Sequence, residues 1–318
     1  MYRAHQKATR IFTFFLFILL YPTLCPAAEK VRFAYPSKSL NFLPLFLGKD
    51  KGIFQTEGID LELVQVNTQI AAKALVTADL DFSSGVVMSG AAAGMPVKVI
   101  GFITVKPSFW VVAKPQIRSV NELKGKIIGI SAVGSASDLL ARYVLRRNGL
   151  IPDKEVALLP TGATSNNLTA LKAGSVDAGI FSPPFHAIAK QLGFRILLYV
   201  GDYVDQSLSG VVAAEKTLKE KPDLVKRVLR ATIKSLRYAG NNAGETTGYI
   251  AAGWRVEPAL AEELYRSMMQ AYSPDGGMGE KGIREMMDRE LERMGIKEQV
   301  PLARVVDLRL LKEVQKEF

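Results

Sequence analysis

Two short polar breaks in the sequence could hold a small solute. Ser83, Ser84 and Gly85 lie in "KALVTADLDFSSGVV" (73–87), and Ser182 and Pro183 lie in "TALKAGSVDAGIFSPP" (169–184). Taken alone, each also reads as an ordinary turn. A third loop opens "SAVGSASDLLARYVL" (131–145), where Ser131, Gly134, Ser135 and Ala136 run into a helix start. Free backbone N–H groups at such a start bind anions. Ser135 followed three residues later by Asp138 is equally a capping box, which satisfies those groups locally and opposes a negative ligand. Both readings stand at this point. No Gly-Lys-Ser/Thr follows, so nucleotide hydrolysis by a P-loop is not supported. Lys38 is the only formal cation of the loop 37–42 and reads either as a partner for an acid group or, more readily, as a solvated side chain. His186 reads as a surface or capping histidine before it reads as a catalytic one. Trp110 fits either a cleft or hinge packing, and Trp254 fits a core.

Other chemistries are excluded by residue supply. The chain begins with Arg3, Lys7 and Arg10, then the apolar run "IFTFFLFILLY" (11–21), then "PTLCPAAEK". This is the pattern of a cleavable export signal ending at Ala27 or Ala28. A lipid anchor at Cys25 is the alternative, although Leu24 is larger than the residue such a site prefers. Removing residues 1–27 removes Cys25, the single cysteine, and His5, one of two histidines. What remains has no disulfide, no thiolate and one histidine, so Cys/His metal centres and Ser-His or Cys-His catalysis are not expected. No metal or other cofactor is expected. Losing the three basic residues takes the formal charge from +10 to +7. The excess lies in helices such as 216–237 and 281–297, interleaved with Glu, which reads as solvated faces and not as a nucleic-acid surface.

The elements that carry these loops are written twice. Ala74, Leu75, Leu80 and Asp81 align with Ala170, Leu171, Val176 and Asp177 at an offset of 96, and Gly52 aligns with Gly149 at 97. "VKVIGFIT" (97–104) answers to "FRILLYVG" (194–201), and "DLELVQV" (60–66) to "EVALLPT" (155–161). A unit of this length is too long for a solenoid repeat and fits a small lobe. Each unit alternates strands with helices, which predicts βαβ crossovers and a mainly parallel sheet. "FWVVAKP" (109–115) and "SLSGVVAAE" (207–215) read as strands entering and leaving the second unit. The expected division is 1–27 signal, 28–112 first lobe, 113–206 second lobe and 207–318 return to the first lobe, with the C-terminal helices packed on it. Ligands bind beyond the carboxyl ends of such strands. That places the candidate loops at Ser37–Phe42 (with Lys38, Leu40 and Asn41), Ser83–Gly85, Ser131–Ser137, Thr161–Ser165 and Ser182–Pro183.

The segments "NFLPLFLGKDKGIFQTEGIDLELV", "ALVTADLDFSSG", "LKGKIIGISAVGSASDLLARYVLRRNGL" and "ALKAGSVDAGIFSPPFHAIAKQLGFRIL" resemble the nitrate/sulfonate/taurine-type substrate-binding proteins of ABC transporters, a group that includes binders of thiamine-precursor pyrimidines. The resemblance covers nearly all of the chain after the signal. It implies an α/β periplasmic binding protein type II fold with two similar lobes joined by two hinge strands. By position, the family's contacts fall on Ser37, Lys38, Leu40, Asn41, Ser83, Ser84, Gly85, Ser131, Gly134, Ser135, Ala136, Thr161, Ser182 and Pro183. The cysteine-rich active-site motif of the related eukaryotic pyrimidine synthases has no counterpart here. The expectation is a monomeric, non-enzymatic periplasmic protein that passes a small molecule to an inner-membrane permease. Alternatives are an enzyme or a sensory protein on the same fold. The proposed loops contain no Arg, which argues against a strongly held sulfonate or nitrate. Their Ser, Thr, Asn, Pro and Phe content suits a small, partly apolar molecule with hydrogen-bonding groups.

Overall fold

The computed structural model describes residues 28–318 apart from Ser37, Val87, Gly134 and Ala163. The expected export signal, 1–27, and the candidate site residues Ser37 and Gly134 lie outside the described residues. The strands are β1 (Glu29–Tyr35), β2 (Ile59–Gln65), β3 (Phe82–Ser83), β4 (Val97–Phe102), β5 (Trp110–Ala113), β6 (Ile127–Ile130), β7 (Ala157–Pro160), β8 (Ala178–Phe181), β9 (Arg195–Tyr199) and β10 (Gly210–Ala214).

They form two sheets, ordered β2-β1-β3-β10-β4 and β7-β6-β8-β5-β9. The orders are equivalent position by position. In each sheet the first three strands run parallel and the fourth is antiparallel to both neighbours. The fourth strand comes from outside its own unit: β10 follows the second unit, and β5 precedes it. Both fourth strands also shift register at the same place, between Val211 and Val212 and between Val111 and Val112.

The repeated phrase has a physical reason. Asp81 Oδ2 accepts the Arg32 N–H (2.8 Å), and the Asp81 N–H donates to the Arg32 carbonyl (3.0 Å). Asp177 does the same with Ile127, at 3.1 and 2.8 Å. Each aspartate therefore fixes the register of β3 or β8 on its central neighbour. The turn before each aspartate needs a left-handed residue, which is Ala78 (φ 62°) in one unit and Gly174 (φ 78°) in the other.

Apolar faces then set the layers. Helices Pro222–Asn241, Pro258–Met269 and Arg309–Gln315 share a core with Val31, Phe33, Leu43, Leu45 and Phe82 on one face of the first sheet. Helix Glu280–Met294 buries Ile283, Met286, Met287 and Leu291 on its other face, with Leu75, Met88 and Val212. The second sheet lies between helix Ala136–Arg147 and the pair Thr164–Ala173 and Phe185–Gln191. Helix Ala243–Trp254 is not legible in the sequence, because Gly244, Gly248 and Gly253 each lower helix propensity by about 1 kcal/mol. Tertiary contacts offset this: Thr246 and Ile250 are fully buried, and the Tyr249 hydroxyl donates to Asp50 (2.6 Å).

The chain crosses between sheets at 103–109 and 200–209. The boundary expected at 112/113 falls inside β5, all of which pairs in the second sheet, so the crossing lies before Trp110. The two crossing segments are tied to each other. Val200 N–H donates to Phe109 O (2.9 Å), Gln206 N–H to Val105 O (3.1 Å), and Thr104 N–H to Ser209 O (3.0 Å). The buried Thr104 Oγ1 accepts the N–H groups of Leu208 (3.0 Å) and Ser209 (3.1 Å). Replacing Thr104 with Val keeps the shape and leaves two buried donors unpaired. Each costs about 1–3 kcal/mol, so urea unfolding of ligand-free Thr104→Val should show a loss of at least about 2 kcal/mol. A loss under about 0.5 kcal/mol would show that this clamp does not hold the crossing.

Candidate functional site

A cavity of about 330 Å³ lies where the two sheets' helices face each other. Gln69 of helix Thr68–Val76, Val86, and Met88 and Ser89 of helix Met88–Ala92 line it from the first sheet's side, and Ala136, Leu139 and Leu140 from the second sheet's helix. Gln206, Ser207 and Leu208 of the crossing segment form its floor, and Met286, Glu290 and Arg293 close it from helix Glu280–Met294. Its polar groups are amides, hydroxyls and one ion pair, since Arg293 donates to Glu290 at 2.7 Å. This set can hold a small molecule by hydrogen bonds and apolar contact.

All the expected loops follow the carboxyl ends of parallel strands, but their side chains divide sharply. Ala136 alone of the described candidates lines this cavity. Ser83, Ser84 and Gly85 lie behind it and are buried. Ser84 donates through N and Oγ to the Ala34 carbonyl (2.8 and 3.0 Å), and Gly85 N–H donates to Ser83 Oγ (3.3 Å). A Cβ on Gly85 would stand 2.6 Å from Thr68 Oγ1. These groups serve the turn. The described residues of the loop at Ser131 also bond to one another. Ser131 N–H donates to Ser137 Oγ (2.9 Å), and Ser135 Oγ accepts from Asp138 N–H (3.4 Å) and lies 2.9 Å from Ser137 Oγ. The cap reading describes it, with Asp138 further engaged by Arg142 Nε at 2.7 Å. Thr161 Oγ1 has two acceptors for its proton, Ile130 O (3.2 Å) and Asn167 Oδ1 (2.5 Å).

The loop after β1 turns to the hinge. Leu40 O accepts the Tyr272 hydroxyl (2.5 Å), Asn41 O accepts Ser209 Oγ–H (2.7 Å), and Asn41 Oδ1 accepts the Ser108 hydroxyl. Asn41 thus touches both crossing segments. Lys38 is exposed, with Nζ 5.6 Å from the Trp254 ring, and Trp254 is half-buried and packs against the edge of the first sheet's core, as expected.

Ser182 and Pro183 are half-buried and lead into helix Phe185–Gln191. His186 on that helix is neither a surface nor a capping residue: it is 1% exposed. Its ring stacks on Trp110 at 3.8 Å and 10°, and Tyr199 packs on Trp110 at 4.9 Å. His186 Nε2 lies 3.1 Å from Ser267 Oγ on helix Pro258–Met269, so it joins the two halves of the molecule. Its Nδ1 and the Tyr199 hydroxyl have no hydrogen-bond partner among the described residues. Burial, helped by the charge of Lys190 and opposed by the Ser182 carbonyl, lowers the His186 pKa to about 3. Burial likewise pushes the Tyr199 phenol up.

Sequence reasoning missed Gln69, Ser89 and Gln206, which lie just beyond the polar turns. It also missed Met286, Glu290 and Arg293, whose helix carries a charge pattern that reads as solvated. Among the described residues there is no cluster of three or more His, Cys, Asp or Glu side chains able to hold a metal, and no helix long and apolar enough to cross a membrane.

The profile described as NMT1/THI5 like matches residues 39–246, well over half of the chain. The chain belongs to the NMT1/THI5-like family. That meets the resemblance carried by its sequence motifs. YtlA of Bacillus subtilis (strain 168), named as a candidate binding protein, is 23% identical over 95% of this chain and 96% of its own. The periplasmic aliphatic sulphonate binding protein SsuA from Escherichia coli superposes with a TM-score of 0.74 at 17% identity, covering 89% of this chain and 99% of that one. The desulfurization enzyme DSZB superposes at 0.68 with 15% identity, covering 91% and 99%. The fold is that of the periplasmic binding proteins, and it carries both binders and an enzyme.

Two expectations follow from the geometry. Ser84→Phe should lower the melting temperature of the ligand-free protein, because overpacking a closed turn costs about 1–3 kcal/mol. A variant of unchanged stability would mean that position 84 opens onto free space. The second concerns pH. A neutral buried His binds its proton more tightly in the unfolded chain, so its stabilisation is complete above pH 6.5 and is lost as pH falls toward 3. Between pH 7.5 and 5 the wild type should lose about 2 kcal/mol from this group. His186→Phe should flatten that part of the denaturation-midpoint profile, and an unchanged acid slope would place His186 in water.

Proposed function

We propose that this protein is an exported solute-binding protein. It captures a small organic molecule between two lobes and passes it to an ABC-type import permease, acting as a monomer, without a cofactor and without chemistry on the solute. The observation that carries this reading is the cavity walled by helices from both sheets and floored by the crossing segment at 206–208. A solute there touches both halves at once, so it favours the state in which the halves are close. The families of proteins that share the fold, and the binding-protein names of the relatives, support the same reading. Sheet membership supports a lobe division close to the expected one, with the first crossing before Trp110. An enzymatic reading has less to work with: the described histidine is buried in an aromatic stack, and no carboxylate lies in hydrogen-bond contact with it.

Native mass spectrometry of protein purified from its host should show a retained small molecule. Small-angle scattering should show expansion when that molecule is dialysed away and compaction when it is restored. Ala136 is exposed and lines the cavity, so Ala136→Trp should weaken retention at least tenfold and leave the ligand-free melting temperature unchanged. Full retention in that variant, or a wild type whose dimensions ignore the solute, would overturn the proposed site.

A further inference from the structure

The seam between the two halves holds a histidine with no place for a second proton. His186 belongs to helix Phe185–Gln191 on the second sheet. Its Nε2 meets Ser267 Oγ at 3.1 Å, on helix Pro258–Met269, which packs on the first sheet. His186 is 1% exposed, and its ring lies nearly flat on Trp110 at 3.8 Å. Its Nδ1 has no hydrogen-bond partner among the described residues. The Ser182 carbonyl favours a charged ring, but it already accepts the backbone N–H groups of Phe185 (2.9 Å) and His186 (3.4 Å). An imidazolium carries a proton on both nitrogens. In this seam it would be a buried charge with an unpaired Nδ1–H, which is costly. The Trp110 face offsets only part of that cost.

The surrounding charges give no relief. On the same helix Lys190 opposes a positive ring, and it is paired with Glu263 of the facing helix at 2.8 Å. On that facing helix Glu262 and Arg266 pair with each other at 3.2 Å, and the Tyr265 hydroxyl donates to Gly240 O (3.1 Å). Strand β5 carries no titratable side chain. Strand β9 carries Arg195, which donates to Pro115 O (3.2 Å), and Tyr199, whose buried hydroxyl is also without a partner among the described residues. Lys172 of helix Thr164–Ala173 is exposed.

Separating the two halves lets water reach Nδ1, and the ring then regains its ordinary affinity for a proton. We propose that His186 is a proton-operated latch: acid draws the two halves apart and so releases what is held between them. The proposal rests on the reading that the halves close around a solute. A proton that binds the open arrangement far better than the closed one shifts the balance between them. The ring is neutral in the seam down to about pH 3 and titrates near 6.5 once hydrated, so opening takes up a proton. The balance is therefore insensitive to pH above about 7 and moves toward open as pH falls from 6.5 toward 3, by about thirtyfold between pH 7.5 and 5.

The test is small-angle scattering of the purified protein, dialysed free of resident solute, at pH 7.5 and pH 5. Native mass spectrometry of undialysed protein at the same two values reads solute retention on dilution. The wild type should expand reversibly at pH 5 with its helical circular dichroism unchanged, and retention should weaken at least tenfold. His186→Phe keeps a ring against Trp110 but takes no proton, so both measurements should ignore pH. Ser267→Ala loses the contact across the seam and keeps the titrating ring. It should open more readily at pH 7.5 and still respond to acid, whereas a merely structural contact would make the two variants alike. Dimensions and retention both independent of pH in the wild type, an acid response that survives in His186→Phe, or expansion that comes with loss of helix would overturn the latch. Absence of any retained molecule would count against the solute-binding reading alone, and the scattering of the ligand-free protein would then decide the latch by itself.

Discussion

Everything in this fold that could move or bind depends on how two strands of chain pass between two sheets. The crossing segments are not free linkers. Thr104, Ser108 and Ser209 are all buried, and their hydroxyls complete a network that ends on Asn41. Thr104 Oγ1 takes two backbone N–H groups that neither sheet can pair, because both segments have left their ladders at that point. A buried N–H without an acceptor costs more than an ordinary hydrogen bond contributes. The crossing is therefore held to a narrow range of geometry by satisfaction of donors as well as by the apolar packing of Ile103, Val200 and Val204. That narrow range keeps residues 206–208 in position as the floor of the cavity.

The same economy explains why the sequence repeats. A parallel strand as short as β3 or β8 has few ladder bonds to fix its register. Asp81 and Asp177 supply the missing constraint by gripping the backbone of β1 and the start of β6. Each is also near a cation, Arg32 at 3.9 Å and Lys114 at 2.8 Å. The ion pairs add little where water reaches them, but the carboxylate–backbone bonds set the register directly. The exchange of β5 and β10 between sheets follows from a duplicated unit that lacks its own antiparallel strand. Each half borrows that strand from the chain flanking the second unit, and the two crossings result.

Much of this is legible in the sequence. Periodicity and the 96-residue offset locate the strands, the parallel sheets and the helical return, because these depend on local apolar pattern. The site was less legible. Ser83, Ser84, Ser135 and Thr161 are the polar residues that reasoning from strand ends selects, and each is engaged with its own backbone or neighbours. A hydroxyl at a strand end is needed to finish the turn as often as to meet a ligand, and residue type cannot separate the two uses. Glu290 and Arg293, which line the cavity, could not be found from loops at all. They sit on a helix remote in sequence, and its alternating charges look solvated until the fold sets it across the cavity from helix Ala136–Arg147. His186 was misjudged for a related reason. Its neighbours Ser182, Pro183 and Pro184 signal a surface turn, whereas Trp110, which stacks on it, is 76 residues away.

Magnitudes decide whether these halves can open. Outside the crossing one seam between them runs along helix Phe185–Gln191 and helix Pro258–Met269. Lys190 pairs with Glu263 at 2.8 Å, His186 meets Ser267 at 3.1 Å, and Ala187 is packed in the first sheet's core. The ion pair is exposed on the lysine side and contributes about 0–1 kcal/mol. The neutral hydrogen bond contributes about 0.5–1.5 kcal/mol, and Ala187 with the partly buried Ile188 adds about 1–3 kcal/mol of apolar burial. The seam is thus worth a few kcal/mol, against about 8 kcal/mol for a solute bound at micromolar affinity. A solute with most of that energy specific to the closed state outweighs the seam. Crossing segments that are firmly clamped and a seam that is weakly held are the two properties a ligand needs to control closure by its own contacts.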